Sequence, residues 1–342
     1  MKRPSSRRLL SGSRSAVADR RARRRARQVV SIAAFVCIEL AVTGPIAGAT
    51  LNESGSKAPA QAVLKVHRPR GTQPSCGGNP TLEADGSSWT CTFDSEFTGT
   101  SYDPSQWTPV TTATSGYTSG RTACFVNSPN NISVGNGYLS LTALKVAAPF
   151  TCSGPRGSFT TQYTSGELSS TGLFSQAYGR FEIDANVPST AIKGLQSSFW
   201  LYPQDENKFG PWPGSGEIDI AETYSKYPGL AVPMIHYHAG RKVDSTDTNV
   251  VTATNCTIAA GQFNDYVVEW TPGTITMIYN GQTCLVDHWT PLSPLSGLEP
   301  FNQPFFINLT QALGVGTNNF NAAETPLPAT TEIKFVRVWQ QG

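Results

Sequence analysis

The chain has 342 residues, of which 39% are hydrophobic and only 15% charged, with 31 Gly and 24 Pro. This composition suits many short strands joined by turns and excludes an architecture of long amphipathic helices; the length accommodates one all-β domain with a tail. The formal charge of +2 conceals a division, because residues 1–49 carry 11 Lys/Arg and two acids; the remaining 15 basic and 22 acidic residues argue against a nucleic-acid partner.

In chain order, a basic region 1–28 precedes an apolar region 29–42 and then Ala47-Gly48-Ala49, the small-x-small pattern of a signal peptide. Residues 1–49 are therefore expected to be a leader cleaved after Ala49, placing the protein outside the cell. The competing reading, a retained membrane anchor, requires about 20 apolar residues, and Glu39 interrupts this stretch. The pair Arg20-Arg21 does not select a secretion route. Residues 50–75 are small, polar and Pro-containing without apolar periodicity and read as a linker, so the folded domain is 76–342. Removing Cys37 with the leader leaves six cysteines in three local couples, for which Cys76–Cys91, Cys124–Cys152 and Cys256–Cys284 are the expected disulfides. No CxxC occurs, which argues against zinc.

Alternation and β-branched content predict strands over Ile132–Ala143, Gly179–Val187, Gln196–Tyr202, Tyr266–Trp270, Thr274–Tyr279 and Glu332–Trp339, with turn signals such as Asn280-Gly281 between them. Two stacked antiparallel sheets are the economical way to bury one face of so many strands, so the expected fold is an all-β jelly-roll sandwich. No 20–50-residue repeat suggests a propeller or solenoid. Asn-x-Ser/Thr acceptor sequences at Asn52, Asn131, Asn255 and Asn308 are no more than a Ser/Thr-rich chain produces by chance.

The run Trp212-Pro213-Gly214-Ser215-Gly216-Glu217-Ile218-Asp219-Ile220-Ala221-Glu222 places three acids in six residues, separated by apolar side chains. In a strand Glu217 and Asp219 share one face, with Ile218 and Ile220 on the other. Glu222 falls on the wrong face unless a one-residue bulge near Ile220-Ala221 returns it, and bulges recur beside active sites because they re-aim side chains in this way. The glutamates are then four strand steps apart, roughly 13 Å between Cα atoms. Side chains leaning together from there reach a carboxylate gap of ~5 Å, the spacing of a retaining glycosidase, whereas inverting enzymes use a gap of ~6.5–9.5 Å. Crowding keeps at least one of the three acids protonated as a donor, with Asp219 placed to tune Glu217.

At this point the sequence resembles glycoside hydrolase family 16, specifically its laminarinase-like branch, through the pattern E-x-D-x-x-E at Glu217, Asp219 and Glu222 and the preceding Trp-Pro-x-Ser-Gly. The likeness extends over most of residues 93–342, including Phe93-Asp94-Ser95-Glu96-Phe97, Tyr178-Gly179-Arg180-Phe181-Glu182, Tyr266-Val267-Val268-Glu269-Trp270-Thr271-Pro272 and Val336-Arg337-Val338-Trp339. It implies a concanavalin-like jelly roll, with Glu217 as nucleophile, Asp219 as its helper and Glu222 as acid/base. The family's G-x-W-P-A-x-W segment reads Gly194-Leu195-Gln196-Ser197-Ser198-Phe199-Trp200 here, so its first Trp is replaced and Trp200 matches its second.

Sugar clefts set aromatic faces against pyranose rings, and polar groups fix the orientation. Trp212, Trp200 and Trp270 are the expected aromatic contacts, and His236 and His238 the hydroxyl partners; Trp107 and Trp339 are assigned to the core. No metal site is expected. No cofactor is required, although some members of the family hold a structural calcium ion, for which Glu96 is a candidate ligand. The resulting expectation is a secreted, monomeric endo-hydrolase of β-1,3-glucan or mixed β-1,3/1,4-glucan, with no stable membrane association once the leader is gone. Three alternatives stand beside it: another β-linked polymer such as an algal galactan, a transglycosylase, or a glucan-binding protein without catalysis. Loss of Glu217 or Glu222 would mark the last, and both are present.

Overall fold

The computed structural model describes residues 75–78, 86, 88–119, 122–239 and 249–341. The leader 1–49 and all of the linker 50–75 except Ser75 lie outside the described residues; Ser75 and Cys76 donate their backbone N–H groups to Asp94 at 3.2 and 2.8 Å. The first strands are β1 (Thr90–Ser95), β2 (Thr108–Pro109), β3 (Thr118–Ser119), β4 (Ala123–Phe125), β5 (Ile132–Gly135), β6 (Tyr138–Gly154) and β7 (Gly157–Ser169). Then come β8 (Gly179–Asn186), β9 (Leu195–Pro203), β10 (Glu217–Tyr224), β11 (Ala231–His236) and β12 (Val250–Thr252). The last are β13 (Phe263–Thr271), β14 (Thr274–Tyr279), β15 (Gln282–Asp287), β16 (Phe305–Leu313) and β17 (Ala329–Gln340). A single helical turn, α1 (Thr112–Ser115), separates β2 from β3.

Strands β2, β7, β16, β9, β10, β11 and β12 pair in that order, antiparallel throughout, into a front sheet. A back sheet runs β17–β8–β13–β14–β15, and β1 and β6 share the other side of β17, with β5 beyond β6. The long β6–β7 hairpin passes from back to front, and its outer half carries β4 in a parallel pairing, with β3 beside it. This is the jelly-roll sandwich that the alternation predicts.

Period-two patterning builds the core. Phe199, Leu201, Ile218, Ile235, Ile307 and Leu309 of the front sheet meet Phe181, Ile183, Val268, Ile275, Met277 and Val338 of the back sheet in one apolar cluster. The stretch Ile132–Ala143, expected as one strand, is a hairpin of β5 and β6 that turns at Asn136-Gly137, where φ is +56° and +82°. Two left-handed residues in sequence are what an Asn-Gly hairpin turn requires, and Asn280-Gly281 between β14 and β15 uses the same device.

The three expected disulfides are present: Cys76–Cys91 closes the entry to β1, Cys124–Cys152 ties β4 to the outer half of β6, and Cys256–Cys284 ties the segment after β12 to β15. Trp107 is buried in the main core, whereas Trp339 packs with Trp89 and Cys76 in a small satellite cluster. Both carboxylate oxygens of Glu96, the candidate calcium ligand, accept from Arg337, Oε1 from Nε at 2.7 Å and Oε2 from Nη2 at 3.0 Å. Among the described residues no helix is long and apolar enough to cross a membrane.

Candidate active site

The acids enter on a fixed loop. Ser215 accepts from Phe209 N–H at 3.0 Å and donates to Gly210 O at 2.9 Å, so the Phe209–Gly216 segment closes on itself. Gly216 leaves it at φ +84°, and a Cβ there would stand 2.9 Å from Phe301, so glycine is required both for the turn and for the space. The loop brings Trp212 over the start of β10, where its indole N–H donates to Oε2 of Glu217 at 2.6 Å. Trp212 is half-buried.

Along β10, Ile218 and Ile220 point into the core and Glu217 and Asp219 to the front. The register then slips: Asp219 faces Trp200 and Ala221 faces Phe199 on β9, leaving Ile220 as the extra residue of a bulge. Beyond it Glu222 faces Ser198, on the front with the other two acids. The carbonyl of Ile220, the bulged residue, accepts the hydroxyl of Tyr279 at 2.6 Å from β14 of the back sheet. The expected bulge is therefore present, with a clasp from across the core.

All three carboxyls are buried, at 4, 2 and 5% exposure for Glu217, Asp219 and Glu222. Burial, then the charge of Asp219, pushes Glu217 up to about 8, while His236 and the Trp212 N–H oppose the rise. Burial and the charge of Glu222 raise Asp219 well above the carboxylate range. Burial raises Glu222 too, against four groups that favour its ionised form: Tyr224, His236, Ser198 and Gln196. Three such groups cannot all ionise together near neutral pH, so the cluster holds protons as a unit.

His236 lies opposite Glu217 on β11, and its Nε2 is 3.0 Å from Oδ2 of Asp219, with the ring 5.3 Å from that of Trp212. It is a partner of the acid cluster. His238, beyond the end of β11, pairs its Nδ1 with Asn249 at 2.9 Å instead. Trp200 stands on the front beside Asp219, its N–H donating to Thr310 at 3.1 Å and its ring 5.7 Å from Tyr202. Trp270 overturns the expectation placed on it: it belongs to the back sheet, is 0% exposed, and packs between Phe305 at 5.2 Å and Tyr178 at 5.3 Å. It shares the inward face with Tyr266 and Val268, where no sugar reaches.

The structure adds residues that were not anticipated. Gln196 Nε2 and Ser198 Oγ both donate to Oε1 of Glu222, at 3.0 and 3.2 Å, and the Tyr224 hydroxyl donates to Oε2. A row of directly opposed residues continues across the front sheet from Glu222 through Ser198 and Thr310 to Glu167, a buried carboxyl that desolvation pushes up to about 8. In the neighbouring row Asp219, Trp200, Asn308 and Ser169 follow one another, and Asn308 is 2% exposed. The parity of 196, 198 and 200 was readable; the partner strands were not.

The model of glycosyl hydrolases family 16 matches residues 119–288, which contain the whole acid-bearing strand. Glucan endo-1,3-beta-glucosidase A1 of Niallia circulans is 27% identical over 264 residues, 73% of this chain and 37% of that protein. Beta-glucanase of Rhodothermus marinus is 29% identical over 188 residues, 52% of this chain and 63% of that protein. The chain thus spans between about a third and two thirds of the length of these curated relatives. The solved laminarinase of Rhodothermus marinus covers 74% of this chain and 97% of its own, with a TM-score of 0.61 at 24% identity, and has the same fold. Motif, bulged strand, sandwich and family match coincide: the chain belongs to glycoside hydrolase family 16.

Proposed function

We propose that the protein is a retaining endo-glycosidase of a β-glucan with β-1,3 or mixed β-1,3/1,4 linkages, with Glu217 as nucleophile, Asp219 as its helper and Glu222 as acid/base. The observation that carries this reading is the bulge at Ile220, which sets all three acids on one face of β10. Support for the substrate comes from the relatives named as endo-1,3-beta-glucosidase and beta-glucanase. Trp212 occupies Oε2 of Glu217, so Oε1 is the oxygen that attacks the anomeric carbon. As that bond forms, the bond to the leaving sugar breaks and its oxygen takes the proton of Glu222. Glu222, now a carboxylate, then removes a proton from water; the water oxygen attacks the glycosyl–Glu217 ester, frees Glu217 and restores the original configuration.

Trp212 and Trp200 supply aromatic surface on the front, and His236 acts through Asp219. Members of the family need no cofactor. The proposal includes export with cleavage after Ala49 and action of the 76–342 domain as an extracellular monomer on polysaccharide. The test is reducing-end release from laminarin, lichenan, curdlan and agarose by residues 50–342, beside the Glu217→Gln and Glu222→Gln variants. Release from a glucan, abolished in both variants, is the expected result. Activity on agarose alone overturns the substrate, and binding without release from any polymer overturns the enzyme.

A further inference from the structure

Where the family pattern G-x-W-P-A-x-W has Trp and Ala, this chain has Gln196 and Ser198, and both side chains end on one oxygen of Glu222. Ala has no donor at all, and Trp has a single N–H at the far edge of a large ring. Gln196 is buried, and its amide nitrogen also lies 3.4 Å from Ser198 Oγ, so the two side chains and the carboxyl form one closed set. We propose that Gln196, backed by Ser198, is a positioning residue of the site: it holds Oε1 of Glu222 as a permanent acceptor and thereby favours the ionised carboxylate over the acid. An amide N–H donates and cannot accept, so Oε1 is the poorer seat for a proton on Glu222 and Oε2, where the Tyr224 hydroxyl can turn and receive it, is the better one.

This inference rests on the reading of Glu222 as acid/base. The other titratable groups that face Glu222 are Glu217 and Asp219 on its own strand, Tyr224 two residues on, His236 from β11 and Tyr279 from the back sheet. Strand β9 contributes only the two neutral donors, so replacing them alters the hydrogen bonding of Glu222 and no charge. A hydrogen bond to a charged group, once lost, moves the titration of that group by about 1 pH unit or more.

The experiment is the pH dependence of kcat/KM on a β-glucan for wild type, Gln196→Met and Ser198→Ala, with an aryl β-glycoside of an acidic phenol as second substrate. The expected result is an alkaline limb displaced upward by about 1 unit in Gln196→Met and by less in Ser198→Ala. The phenol leaves without protonation, so its kcat/KM carries no alkaline limb from Glu222, in wild type or in either variant. A limb that stays in place while kcat falls overturns the proposal in favour of a packing role, and Ser198→Ala supplies the same readout should Gln196→Met fail to fold. Azide with Glu222→Ala separates this failure from that of the underlying reading. In a retaining site azide attacks the glycosyl–Glu217 ester and yields glycosyl azide; its absence overturns the role of Glu222, whereas its presence with an unmoved limb overturns only that of Gln196.

Discussion

At the scale of single residues, the indole N–H of Trp212 meets Glu217 at 2.6 Å, a hydrogen bond that stabilises the carboxylate a nucleophile must be. Trp212→Phe keeps an aromatic face and removes the donor. We expect kcat/KM to fall by about 10- to 100-fold, as for a lost hydrogen bond to a charged group. The acidic limb of the pH profile should move up, because Glu217 without its donor ionises at higher pH; a change confined to KM would assign Trp212 to sugar stacking alone. The acids and their bulge were legible because parity makes Glu222 an exception that only an extra residue repairs. Trp270 was equally legible and was misassigned: it sits an even number of residues from Tyr266 and Val268, on the inward face. Gln196, Ser198 and Tyr224 were not legible as partners of Glu222, since a sequence carries parity along one strand but not the register between two.

At the scale of elements, the bulge in β10 depends on β14. Tyr279 reaches across the core and donates its hydroxyl to the carbonyl of Ile220, the extra residue of the bulge. Tyr279→Phe leaves that buried carbonyl unsatisfied, at a cost of about 1–3 kcal/mol, and differential scanning calorimetry should show Tm lower by roughly 2–12 °C for a domain of this size. Initial-rate kinetics should show kcat reduced more than KM is raised, because the bulge aims Glu222 and leaves the sugar-facing aromatics in place. An unchanged kcat would mean that the ladder alone sets the bulge. Strands with one polar and one apolar face, such as β8, β13, β14 and β17, were readable from alternation. β11 and β12 were not fully so, since both their faces are covered. β7 escaped because its Thr, Ser, Gln and Gly lack an apolar stripe.

At the scale of the whole molecule, buried carboxyls link stability to pH. Burial pushes Glu217 and Glu167 up to about 8 in the folded chain, from an ordinary value of 4.5. Between those limits the folded state keeps protons that the unfolded chain releases, so stability is greatest below the lower value and declines as pH rises through the higher one. We expect Tm to fall by several degrees between about pH 5 and about pH 8, and Glu167→Gln, which is neutral throughout, to fall less. A Tm that rises over this window contradicts the assignment. The sandwich and its three staples were legible because local cysteine couples and two-period strands constrain one domain strongly. The continuation of the front face as far as Glu167 was not, because β7 joins it through a hairpin that changes sheets.

The rows of the front sheet also bear on how the chain is made. Asn308 and Asn131 each begin an Asn-x-Ser/Thr acceptor sequence, and both are 2% exposed, Asn308 between Trp200 and Ser169 and Asn131 against Thr142 and Thr164. Asn255, by contrast, lies on the surface. Oligosaccharide attachment acts on the extended chain during translocation, before strands close, and a glycan at either buried asparagine has no volume to occupy in the finished sandwich. Biosynthesis of this fold is therefore compatible with export routes that leave asparagine unmodified, and in a glycosylating secretory pathway the two interior acceptors set glycan transfer in direct competition with folding.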